Sequence, residues 1–94
     1  MKFQFDNGNS RHLFTDHTER NNSREEIESV FADPKFVGSF NRTSPSGEDR
    51  FHGVGQSNQN RVLYVVFVVR NGEIRPFSCR PASRDERKSY ANSI

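Results

Sequence analysis

Apolar residues come singly or in pairs along most of the chain, with one exception. In Arg61-Val62-Leu63-Tyr64-Val65-Val66-Phe67-Val68-Val69-Arg70, eight consecutive apolar or aromatic side chains lie between two arginines. The run is too short to cross a membrane and too β-branched to favour a helix, so it predicts a central strand covered on both faces. Burying such side chains contributes about 1.5 to 3 kcal/mol each as an upper bound, enough for this segment to organise a small core. Upstream, Phe3 and Phe5 alternate with Lys2, Gln4 and Asp6, the period of a short strand over 2–5 ended by the turn signal Asn7-Gly8, with Asp6 capping a turn. Leu13 and Phe14 among polar neighbours suggest a short helix within 9–17, capped by Asn9 or Ser10. A firmer helix follows: Ser23 and Glu26 have capping-box spacing, Ile27, Val30 and Phe31 form one apolar face, and Pro34 ends the helix at Asp33.

Phe36–Phe40 reads as a short strand, and the Pro- and Gly-containing stretch 42–49 as a surface loop. Arg50–Gln56 alternates as a further strand. Asn71-Gly72 predicts a type I′ hairpin that returns the chain along 73–80. Pro76 cannot donate a ladder hydrogen bond, so that strand is bulged there or lies at an edge. Ser83 and Glu86 form a second capping box, opening a C-terminal helix to about Ala91 whose only sizeable apolar groups are Tyr90 and Ile94.

Composition narrows this to one domain, 1–94. Ninety-four residues with 31% apolar content allow only a thin core. The net charge is +2, but residues 1–33 hold four Lys/Arg against seven Asp/Glu, whereas residues 34–94 hold ten against five. The basic part suits phosphates or an acidic protein. One cysteine, Cys79, excludes an internal disulfide, and with no His/Cys cluster beside it no metal site and no cofactor are expected. A thiol without a partner, no signal-like segment and no long apolar run point to a cytoplasmic protein with no membrane attachment.

Several pieces in order resemble the BrnT family of toxins from bacterial toxin–antitoxin pairs. They are Phe3-x-Phe5-Asp6, His17, Val30-Phe31-x-Asp33-Pro34, Gly47-Glu48-x-Arg50, and the terminal pattern Ile74-Arg75-x-x-Ser78-x-Arg80-x-Ala82-x-x-Glu86-x-x-x-Tyr90. The chain departs from the family at Phe5, where tryptophan is usual, and at Asn9 and Pro81, where basic residues are usual. The resemblance implies an α+β, RelE-like domain: a short N-terminal strand, two helices on one face, a twisted antiparallel sheet of three or four further strands and a C-terminal helix at the side. It also implies a ribonuclease that cuts messenger RNA without a metal and inhibits translation. Its expected partner is a cognate DNA-binding antitoxin, and the expected assembly is a homodimer of this chain or a toxin–antitoxin heterotetramer.

Metal-free RNA cleavage needs a base for the ribose 2′-hydroxyl, donors for the charge developing on phosphorus, and an acid for the leaving oxygen. Strand alternation puts Arg50 with His52, and Ser78 with Arg80, on one face of their respective strands, with Tyr64 between if the registers agree. Arg80 and Arg50 are the expected phosphate clamps. His52, by residue type, is the candidate acid or base; its alternative is a surface histidine in a hydrogen bond. Glu48 is a second candidate base, or else the partner of Arg50. Tyr90 stacks, donates a proton or anchors its helix. Arg75, Tyr64, Ser78, Arg84, Arg87 and Lys88 are candidate RNA contacts. Arg75 and Glu86 alternatively pair to hold the last helix, and the basic helix residues alternatively keep it soluble. His12 and His17 are expected at the surface, and Cys79 in the core. Two rival functions remain: an inactive relative that only binds a protein partner, and a nucleic-acid-binding module without chemistry.

Overall fold

The computed structural model describes residues 1–92, so Ile94 lies outside the described residues. Helix α1, Asn7–Ser10, runs directly into a wide turn of helix at Arg11–Thr15. A 3₁₀ turn at Thr18–Arg20, helix α2 (Arg24–Phe31), strands β1 (Val37–Thr43), β2 (Asp49–Gln56), β3 (Val62–Arg70) and β4 (Glu73–Pro81), and helix α3 (Arg84–Ala91) follow. The strands form one antiparallel sheet in the order β1-β2-β3-β4. The protein is therefore α+β, with the predicted hairpin in place: Asn71 and Gly72 both have positive φ, 53° and 76°, as a type I′ turn requires.

The predicted strand over 2–5 shrinks to a single parallel bridge between Phe3 and Ile74 on the β4 edge. Gln4 N donates to Ile74 O and Ile74 N to Lys2 O, both at 2.8 Å. Two residues further along, Pro76 has no N–H to continue the ladder. The buried side chain of Asn9 takes over, its Nδ2 donating to Pro76 O at 2.7 Å and to Gln4 O at 2.9 Å. Asn7-Gly8 is accordingly not a turn after a strand but the start of α1. The cap is Asp6, not Asn9 or Ser10: its Oδ1 accepts from Gly8 N, while Asn9 Oδ1 accepts from Asp6 N.

The core lies on one face of the sheet. Leu63, Val65, Phe67 and Cys79 meet Leu13, Ile27, Val30 and Phe31 from the helical layer. Helix α2 approaches β2 so closely that a Cβ on Gly55 would stand 2.8 Å from the Val30 carbonyl oxygen, which is why glycine occupies that strand position. On the opposite face Val68 is buried, but Val62, Tyr64 and Val66 are only half-buried. This corrects the expectation of a strand covered on both faces: both N-terminal helices pack on one side, and α3 buries no residue of its own.

The Ser23 cap forms, with Ser23 Oγ accepting from Glu26 N at 3.2 Å. The reciprocal half of that capping box does not, because Glu26 turns inward. Its carboxylate accepts from Arg61 at 2.7 and 2.8 Å and from Ser57 Oγ at 2.7 Å. Arg61 also donates to the Arg20 carbonyl at 3.0 Å, so one guanidinium ties α2, the 3₁₀ turn and the start of β3 together. At α3 both halves of the Ser83–Glu86 box are present.

Candidate functional site

Antiparallel register decides what the uncovered face carries. His52 stands opposite Val66, Val54 opposite Tyr64, Tyr64 opposite Arg80 and Val66 opposite Ser78. Arg50, His52, Tyr64, Ser78 and Arg80 therefore share the open face, the arrangement that alternation allowed. Arg75 reaches it by a different route. Between Ser78 and Pro76 the β3–β4 register slips, leaving Phe77 without a Cα partner. The bulge at Pro76 reverses the inward–outward parity of the strand. Unbroken alternation would put Arg75 with Cys79 on the core face; after the bulge it pairs with Val68 on the open one.

The aromatic and cationic groups interlock. The Arg80 guanidinium lies over the Tyr64 ring, 4.1 Å from its centroid, and the Tyr64 hydroxyl is hydrogen-bonded to His52 Nδ1 at 3.0 Å. Arg50 lies over Phe77 at 5.0 Å and makes no ion pair among the described residues. Each such cation–π contact orients the guanidinium while leaving its charge in place.

Carboxylates hold the other arginines. Arg80 donates from Nη1 and Nη2 to the two oxygens of Glu86 at 2.8 and 2.9 Å, which lowers the Glu86 carboxyl and raises the Arg80 guanidinium. Glu86 thus pairs with Arg80 and not with Arg75. Arg75 grips Asp6 at 2.6 and 2.9 Å and holds that carboxyl down to about 2. Glu48 pairs with Arg70 at 2.6 and 2.9 Å and not with Arg50; the Arg70 bond keeps its carboxyl below the usual range. Arg50, Arg70 and Arg75 surround a cleft of about 190 Å³ floored by Val68 and Phe77.

Tyr90 extends from α3 back to the end of α2, its hydroxyl donating to Asp33 Oδ2. Burial, reinforced by the Asp33 carboxylate, pushes the phenol up to about 12. Burial alone would raise Asp33; hydrogen bonds from Gln56 N, the Tyr90 hydroxyl and Lys35 N together bring it below its ordinary value. On the same helix, Arg87 donates to the Ala82 carbonyl at 2.9 Å, and Arg84 and Lys88 are exposed. His12 and His17 meet edge to face, with ring centroids 4.8 Å apart; His12 is exposed as expected, whereas His17 is half-buried. Cys79 is fully buried on the core face, where burial pushes its thiol up to about 12. Sequence reasoning missed Phe77, Asp6 and Asp33 as neighbours of these groups. The bulge expected at Pro76 was the available signal for Phe77.

A small α+β protein with one sealed face and one face of arginines, histidine and tyrosine has the equipment of a protein that handles a phosphate-bearing polymer. A family model described as "Ribonuclease toxin, BrnT, of type II toxin-antitoxin system" matches residues 5–86, and the chain belongs to this family of ribonuclease toxins. Membership makes an antitoxin its partner. No curated protein matches the chain significantly. Among the described residues no helix is long and apolar enough to cross a membrane.

Proposed function

We propose that the open sheet face is where this toxin cuts RNA, without a metal, within a RelE-like fold. The observation that carries the reading is the convergence of Arg50, His52, Tyr64 and Arg80 on one face through the β2–β3–β4 register. His52 takes the proton of the ribose 2′-hydroxyl as that oxygen attacks the adjacent phosphorus. Tyr64, hydrogen-bonded to Nδ1, orients the imidazole. Arg80 and Arg50 hold the negative charge that builds on the phosphorane, and the 5′-oxygen leaves with a proton from solvent water, closing a 2′,3′-cyclic phosphate. The other acid–base candidates have less to offer. Glu48 is committed to Arg70 and weakened as a base, and the Tyr90 phenol is too weak an acid to supply a proton readily.

Arg80 meets phosphate only by exchanging it for the Glu86 carboxylate, since both offer paired oxygens to the same guanidinium. Ser78, beside Arg80, and Arg75, across the bulge, add phosphate contacts. Arg84, Arg87 and Lys88 extend positive charge along α3 for the RNA backbone. In the cell the protein acts in the cytoplasm, inhibiting translation by cutting messenger RNA, and is neutralised by a DNA-binding antitoxin. The partner-only and non-catalytic alternatives gain no observation of their own.

The test is cleavage of a defined RNA by the purified chain in EDTA, beside Arg80→Ala and His52→Ala. Wild type should cut and leave cyclic-phosphate ends, with both variants slower by about 10² or more. Equal cutting by all three proteins would remove the site from this face.

A further inference from the structure

We propose that the cavity between α3 and the open face is a base-binding subsite, and that the base it takes is guanine. The inference rests on the reading that RNA lies on this face. The cavity measures about 390 Å³, within the range of small-molecule sites, and opens between His52 and Tyr64 of the sheet and Asp85, Glu86, Ser89 and Tyr90 of α3. Val37 and Val54 add apolar wall. The His52 and Tyr64 rings stand edge to face, with centroids 5.7 Å apart, so the sheet side offers π surface of the kind on which unpaired RNA bases stack.

Charge separates this cavity from the arginine cleft at the other end of the same face. No Arg or Lys lines it, and of its two carboxylates Glu86 is neutralised by Arg80 while Asp85 is not, so the cavity favours the uncharged part of a nucleotide over its phosphate. The two carboxylates are not equivalent. Both Glu86 oxygens are taken by Arg80, whereas the Asp85 side chain is exposed and makes no hydrogen bond or ion pair among the described residues. Asp85 therefore offers two adjacent acceptors. On their Watson–Crick edges, cytosine and adenine present an amino donor beside an acceptor, and uracil presents one imino donor between two acceptors. Guanine alone presents two adjacent donors, N1–H and the 2-amino group, which match one carboxylate. With a base seated here, its phosphate lies toward His52 and Arg80.

The test uses short uridine oligonucleotides, 2′-O-methylated so that they cannot be cut, carrying one guanosine, inosine or adenosine. Binding to wild type and to Asp85→Asn is followed by NMR. In wild type the guanosine oligonucleotide should bind about tenfold tighter than the inosine or adenosine ones, with shifts at His52, Tyr64 and Tyr90. In Asp85→Asn that ratio should fall to near one. Equal affinity for the three bases in wild type, an unchanged ratio in the variant, or shifts confined to the Arg50, Arg70 and Arg75 cleft would each overturn the assignment. Because binding is read without cleavage, a guanosine preference in a chain that fails to cut RNA would retain the subsite and reject the catalytic reading. Cutting in EDTA without the preference would do the reverse.

Discussion

Two arginine–glutamate pairs with nearly the same geometry do different work on the two faces of the sheet. Arg61 and Glu26 meet at 2.7 Å with side chains 31% and 7% exposed, and their further polar atoms bond Ser57 and the Arg20 and Asn21 carbonyls. Arg80 and Glu86 meet at 2.8 Å, but their side chains are 36% and 24% exposed, over Tyr64 and beside an open cavity. The first pair is fastened into the fold by bonds to three further residues. The second is more open, and in the proposed reaction a phosphate replaces its carboxylate. The same chemistry thus serves cohesion or exchange according to how deeply the carboxylate is buried and how many further bonds hold the pair.

The sharpest separation comes from Arg80→Ala. Cleavage measured with a defined RNA should fall by about 10² to 10³, whereas stability from urea unfolding should change by no more than about 1 kcal/mol. A large loss of stability instead would make Arg80 a second fastening and erase the contrast. Glu26→Ala should show the opposite balance. Leaving the Arg61 guanidinium half-buried and unpaired should cost about 3 kcal/mol in the same unfolding experiment.

Glu86→Gln is the finer test of exchange. It should cost about 1 kcal/mol or less at pH 7 while strengthening phosphate binding at Arg80, read by titration with a non-cleavable RNA. The sign with pH follows from the lowered Glu86 carboxyl. The pair's contribution is complete above the ordinary glutamate value of 4.5 and is lost as pH falls through the lower folded-state value. The stability difference between wild type and Glu86→Gln should therefore narrow in acid. The smallest effect concerns the sealed face. With its thiol at about 12 and no exposure, Cys79 should resist iodoacetamide at pH 8 in the folded protein and react once urea unfolds it.

Much of this was legible in the residues themselves. The run Val62–Val69 could only be a strand, since its β-branched composition and length exclude the alternatives, and Asn71-Gly72 could only reverse it tightly. The apolar stripe of Ile27, Val30 and Phe31 and the Ser83–Glu86 box were equally local, because capping and helical periodicity are decided within a few residues. Strand parity likewise brought Arg50 with His52 and Ser78 with Arg80. The N-terminal strand was misjudged because Phe3 and Phe5 carry strand alternation, while the partner edge lost its donor at Pro76, more than 70 residues away.

What local pattern left open were relations between distant segments. Which carboxylate meets which arginine, Glu86 with Arg80, Asp6 with Arg75 and Glu48 with Arg70, depends on where elements dock. Each of these arginines is long enough to satisfy several pairings. The parity reversal at the bulge, which carries Arg75 from the core face to the open one, depends on how β4 answers Pro76 against β3. The uncovered second face follows from both N-terminal helices choosing the same side. Short-range steric and hydrogen-bonding rules determine elements from sequence alone; the faces, pairs and cavity that make the site exist only once those elements share a fold.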